Sequence, residues 1–229
     1  MRWLSLLMWT MLAVYGGRWP GRRLHTAAML TAGLAVSMAG QMFLLWQDGL
    51  LSLQTGLPLH ICGMMAVLSI PLVWLKPGWL YGFSLYLGMP CAALALVFPA
   101  VIASSRPLLM AAHFDRLHGL ILACGLFVMA QEKPLPRSGA PAFLLGSGYL
   151  LFVWRINSAI GSNYLFLRAA PRGTPLEWLV ARGEGFTLCS YLLLALLLIR
   201  LMSDVWLRLY PLVTAAGSRT SYNRCCRRS

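Results

Sequence analysis

Seven apolar runs, separated by short loops that hold most of the charge, limit this chain more than any other feature. They cover about residues 3–17, Thr26–Trp46, His60–Leu75, Trp79–Phe98, Leu108–Ala130, Ala142–Ile160 and Phe186–Met202. A helix crosses a bilayer with about 20 mostly apolar residues. Backbone in hydrocarbon must satisfy its own hydrogen bonds, so only helices or closed barrels span it. Continuous runs of this length predict helices, with the first short enough to be tilted or truncated. Composition agrees: 59% of residues are hydrophobic and 11% charged, with a mean hydropathy of +0.70. A soluble domain of 229 residues has too little interior to hide that surface. The expected fold is all-α, a polytopic membrane helix bundle of about seven transmembrane helices. Residues 1–207 read as the single bundle and 208–229 as a basic, disordered cytoplasmic tail.

The charge pattern gives an orientation. The net charge is +13, from 19 basic and 6 acidic residues. With the N-terminus outside, inner loops and tail collect eleven Lys and Arg: Arg18, Arg22, Arg23, Lys76, Lys133, Arg137 and the five arginines from Arg208 onward. The outer side holds five: Arg2, Arg106, Arg168, Arg172 and Arg182. Cytoplasmic loops carry the basic excess, so the reading is a multi-pass cell-membrane protein with its C-terminus in the cytoplasm. The arginines are spread over short loops rather than gathered on one domain, which argues against nucleic acid and for membrane lipids as partners. No cleavable signal peptide is evident, because no small-residue cleavage site precedes Gly16–Arg23. No internal repeat is present, and nothing in the sequence fixes an oligomeric state.

The chemistry gathers where the third run begins, at Leu57-Pro58-Leu59-His60-Ile61-Cys62. Pro58 suits a first helical turn, where its missing N–H costs nothing. His60 and Cys62 are two residues apart, roughly 200° around a helix, so they do not face each other. A partner for Cys62 must come from another segment. A cysteine attacks as thiolate and needs a base or a positive field. His118 in the fifth run is the candidate base, and Asp115, three residues earlier, lies on the same face to orient it. The bland alternatives are a small packing cysteine and a paired interfacial cluster of His113, Asp115 and Arg116. Asn157 and Asn163 flank Gly161-Ser162, where unwound backbone needs amide partners. Arg168 and Arg172 suit a lipid phosphate or ordinary snorkelling. Cys91, Cys124 and Cys189 stand singly in different runs, and Cys225-Cys226 sits among arginines. With no Cys-x-x-Cys spacing, no metal site and no cofactor is expected.

Three stretches carry a resemblance: Leu57 to Cys62, Leu117-His118-Gly119-Leu120-Ile121, and Asn157 followed by Gly161-Ser162-Asn163-Tyr164-Leu165-Phe166-Leu167. Over roughly residues 25–205 the chain resembles the bacterial YwaF-like integral membrane proteins, related to the eukaryotic transmembrane protein 164 acyltransferases. The resemblance implies acyl transfer between lipids through a cysteine supported by a histidine. Cys62 and His118 would inherit those roles, with Asp115 beside them. His60, Asn157, Asn163, Tyr164 and Arg168 are the candidate substrate contacts. The expected function is a lipid acyltransferase or acyl hydrolase. The competing expectation is a non-catalytic membrane protein: a small transporter, a lipid-binding module or an assembly partner.

Overall fold

Residues 2–174 and 176–225 are described by a computed structural model of the chain, and all their regular structure is helical. The main helices are α1 (Arg2–Arg18), α2 (Arg23–Gln47), α3 (Ile61–Leu75), α4 (Gly78–Val97), α5 (Pro107–Met129), α6 (Ala140–Ile160) and α7 (Glu184–Cys225). A short helix, Leu176–Val180, precedes α7, which runs on past residue 207 through Pro211. Among the described residues, α2, α4, α5, α6 and α7 are long and apolar enough to cross a membrane, and α3 is a shorter apolar helix. The all-α bundle is as the sequence predicts. Against the expected count of about seven crossings, these five helices qualify, and the shorter α3 and the 17-residue α1 pack beside them.

The bundle is built around α5. Its buried residues include Leu117–Ile121, Cys124, Phe127 and Met129, which together cover most of its circumference. A helix that is apolar all round belongs in an interior, and α1, α2, α3 and α4 all pack against this one. Close approach is made by small residues. A Cβ on Gly40 would sit 2.3 Å from the His113 ring, and one on Gly33 3.0 Å from Leu120, so α2 lies directly on α5. A Cβ on Gly17 would come within 2.7 Å of the Phe127 carbonyl, which seats α1 equally closely. By contrast, α6 and α7 bury few residues and present leucines outward, as lipid-facing helices do.

Pro90 explains the irregularity in α4. A proline inside a helix lacks an N–H and crowds the carbonyl four residues back. Here the turn before it, Ser84–Gly88, widens into a π turn. Such a turn leaves a carbonyl to be satisfied from outside. The buried Trp206 indole of α7 donates to Leu85 O at 2.8 Å and fills that role.

Cross-loop hydrogen bonds sort the helix ends into two sets. Arg18 donates to Val213 O at 2.8 Å and Leu212 O at 2.7 Å, Arg23 to Gly17 O at 2.9 Å, and Lys133 to Lys76 O. At the opposite end, Asp48 accepts from Ser104 Oγ at 2.6 Å and Ser105 Oγ at 2.5 Å. This division is what alternating up-and-down helices require.

Candidate functional site

At 1.5 Å per residue, the 15 residues of α3 extend about 22 Å, short of a bilayer core of about 30 Å. The segment before it is non-helical, largely exposed, and tied to neighbouring elements by hydrogen bonds. Tyr149 Oη donates to Leu59 O at 3.0 Å, and Tyr149 sits eleven residues, roughly 16 Å, below the end of α6 at Ile160. Higher up, Gln54 reaches Ile160 O at 3.1 Å. The Tyr164 hydroxyl donates to Leu53 O at 2.8 Å and accepts from Leu57 N at 3.0 Å. Each bond satisfies a backbone group that has no helical partner.

His60 ends this segment as the N-cap of α3. Its Nδ1 accepts from Leu165 N at 3.3 Å. The ring meets Tyr164 edge-on at 5.4 Å and Phe166 at 4.8 Å. Leu165 and Phe166 both hold positive φ, 60° and 56°, a conformation that side chains with a Cβ adopt only when their surroundings impose it.

Asn157 imposes it. Fully buried near the end of α6, it donates Nδ2–H to Tyr164 O at 2.8 Å. Its Oδ1 accepts from Tyr164 N at 2.9 Å and Ser162 Oγ at 2.7 Å. Asn163 closes the next turn by accepting from Arg168 N and Ala169 N and donating to Ala169 O. Arg168 donates to Asn157 O at 2.9 Å and pairs with Glu184 at 2.7 Å, which also accepts from the Trp154 indole. Of the candidate substrate contacts, Asn157, Asn163, Tyr164 and Arg168 thus bond to the protein itself. They hold the α6–α7 connection over the mouth of α3.

Cys62 lies in the first turn of α3, half-buried. His118 is 5% exposed in α5, its Nδ1 2.7 Å from Phe114 O and its ring stacked on Phe114 at 4.1 Å. A carbonyl only accepts, so Nδ1 carries the proton, and the neutral ring's basic lone pair is on Nε2. The helices α3 and α5 pack side by side and run in the same direction, with their far ends tied by the Lys133–Lys76 hydrogen bond. Counted from those ends, Cys62 is 13 residues above Leu75 and His118 is 11 above Met129. That is about 20 Å and about 16 Å, comparable depths. Asp115 is one turn further along α5 from His118.

A second half-buried thiol, Cys91, lies in α4, and Tyr191 lies in α7. Tyr191 donates to Leu165 O at 3.1 Å. No group of three or more His, Cys, Asp or Glu residues among those described could hold a metal ion.

An apolar groove of about 400 Å³ runs between α1, α4, α5 and α7, lined by Leu6, Met89, Leu122, Leu126, Trp206 and Leu209. Its α5 wall continues the stripe Phe114–His118–Leu122–Leu126, residues four apart on one helical face.

A helical bundle with five helices long and apolar enough to cross a bilayer defines an integral membrane protein in contact with lipid. The chain belongs to the TMEM164 family, whose sequence profile it matches over residues 2–203. No curated protein and no solved structure matches it.

Proposed function

We propose that the protein is a lipid acyltransferase or acyl hydrolase in which Cys62 is the nucleophile and His118 its base. The observation that carries this reading is the parallel packing of α3 and α5 with Cys62 and His118 at comparable depth. Family membership and the resemblance to the eukaryotic acyltransferases support it. The groove that begins one turn from His118 offers an acyl chain an apolar wall.

In the proposed reaction His118 Nε2 takes the Cys62 proton, and the thiolate attacks the ester carbonyl of a glycerolipid. The carbonyl collapses to a thioester, and the leaving lysolipid oxygen takes the proton back from His118. An acceptor hydroxyl, or water in hydrolysis, then gives its proton to His118 and attacks the thioester. The acyl group leaves on the acceptor and the Cys62 thiol is restored. Asp115 orients the imidazole and offsets its positive charge. His60 borders the entrance.

The test is mass spectrometry of protein extracted from its native membrane, wild type beside Cys62→Ala. An acyl adduct on Cys62 that is lost in the variant supports the proposal, and an adduct that persists elsewhere in Cys62→Ala overturns it. The second reading, a non-catalytic lipid-binding protein, is favoured by the engagement of Asn157, Asn163 and Arg168 with protein partners. It predicts no adduct on any cysteine.

A further inference from the structure

The two ends of the bundle differ in their charge balance. Of the six carboxylates, Asp48, Glu177 and Glu184 lie at the end that holds His60 and Arg168, and Asp115 lies in the half of α5 nearer to it. The other end keeps Glu132, exposed beside Lys133, and Asp204 on α7. Against these stand three cations from separate elements: Arg23 at the start of α2, Lys76 at the end of α3, and Lys133 in the loop from α5 to α6. Arg23 is bonded to Gly17 O, where Gly17 packs on Phe127 and Ala130 at the end of α5, and Lys133 is bonded to Lys76 O. All three are half-buried.

The arrangement is built by the backbone. Lys76 takes the left-handed conformation (φ 52°) that ends α3, which turns its carbonyl to receive the Lys133 ammonium. Lys133 also lies 5.6 Å from the centre of the buried Tyr81 ring, and the Tyr81 hydroxyl donates to its carbonyl at 3.4 Å. Arg23 is fixed through Nε to Gly17 O at 2.9 Å, leaving its other guanidinium N–H groups for further bonds. Burial, and then the charges of Arg23 and Lys133, hold the Lys76 ammonium below its ordinary lysine value. Three like charges brought together and partly dried cost free energy unless an anion joins them.

The rim identifies the anion. Leu24, Leu75 and Trp79 flank the cluster at 66%, 77% and 53% exposure. Large apolar side chains so exposed at the end of membrane helices face acyl chains and the headgroup boundary. We propose that Arg23, Lys76 and Lys133 form a binding site for the phosphate of an anionic phospholipid, separate from the Cys62 site. The ligand's chains lie against Leu24, Leu75 and Trp79 while its headgroup phosphate bridges the three cations.

The test uses the full-length protein in nanodiscs of phosphatidylcholine with increasing phosphatidylglycerol. Bound lipid is read by native mass spectrometry and thermal stability by intrinsic fluorescence. Wild type should retain phosphatidylglycerol preferentially and melt higher with it. Each of Arg23→Gln, Lys76→Gln and Lys133→Gln should weaken that preference roughly fivefold, and the triple variant should abolish it. In phosphatidylcholine alone the neutral variants should be no less stable, since like charges have been removed, so loss of binding is separable from misfolding. Arg137→Gln, an exposed cation at the same end, should bind as wild type does. Equal retention of the two lipids by wild type, or full preference in the triple variant, would overturn the proposal. So would inorganic phosphate reproducing the entire stabilisation, because the site would then recognise a free anion rather than a lipid.

Discussion

The hydroxyl of Tyr149 donates to the carbonyl of Leu59 at 3.0 Å, joining the middle of α6 to the non-helical segment that leads into α3. A chain without helical hydrogen bonds must find other partners for its backbone groups, and this hydroxyl is one of them. Tyr149→Phe keeps the ring and strands the Leu59 carbonyl. The expected loss is about 1–3 kcal/mol, read as a lowered melting temperature in detergent or nanodiscs. A variant that melts with wild type would mean that water or another donor replaces the hydroxyl.

The proposed chemistry makes graded demands on three residues. With Cys62 intact, His118→Ala should slow acyl-adduct formation by about 10²–10⁴-fold, the usual contribution of a positioned base. Asp115→Asn should fall between this variant and wild type, because it orients the imidazole rather than taking the proton. Time-resolved intact-protein mass spectrometry with a lipid donor measures all three rates. Equal, complete loss in both variants, together with poor expression, would mark a structural cluster instead.

Asp48 holds the connection between α4 and α5 by accepting from Ser104 Oγ, Ser105 Oγ and Ser105 N. Those hydroxyl bonds lower its carboxyl from the ordinary 3.8. The folded state therefore binds its proton less readily than the unfolded state, so the stabilisation is present above about pH 4. It is lost as pH falls through the lower folded value. Protection of the Ser105 amide, relative to its intrinsic exchange rate, should fall below that range in wild type and be low at all pH values in Asp48→Asn. Protection that persists in Asp48→Asn would show that other bonds hold the loop.

At Gly17 the Phe127 carbonyl leaves no room for a methyl group. Gly17→Ala should push α1 off α5 and cost about 1–3 kcal/mol. Gly21→Ala, with nothing within 4 Å of the added carbon, should be close to neutral. Thermal melts of the pair decide it, and equal melting points would count against close seating of α1.

The charge count predicts the side on which each end faces. In a cysteine-free background, Arg172→Cys should react with an impermeant maleimide in intact cells, and Arg137→Cys only after lysis. The reverse pattern would invert the molecule and put the Arg23–Lys76–Lys133 cluster at the outer surface.

The spans were legible because hydrocarbon imposes length and composition on every crossing segment. Asn157 and Asn163 could be read as partners for unwound backbone from their place beside Gly161-Ser162. The anchoring of the segment before α3 was not legible, because its partners Tyr149 and Tyr164 lie about 100 residues away and look like ordinary interfacial tyrosines. Nor was the face on which Cys91 lies, which depends on the widened turn at Ser84–Gly88.

That dependence is a matter of helix phase. A π turn is equivalent to one inserted residue, and one residue advances a helix by about 100°. The upper half of α4, with Cys91 on it, is therefore re-phased relative to the lower half, which packs Leu80 and Tyr81 into the core. Removing a single residue from this turn would rotate Cys91 and the rest of the upper half of α4 by about 100° relative to Leu80 and Tyr81. In this bundle one surplus residue, a few positions before Cys91, sets which face of α4 that thiol occupies.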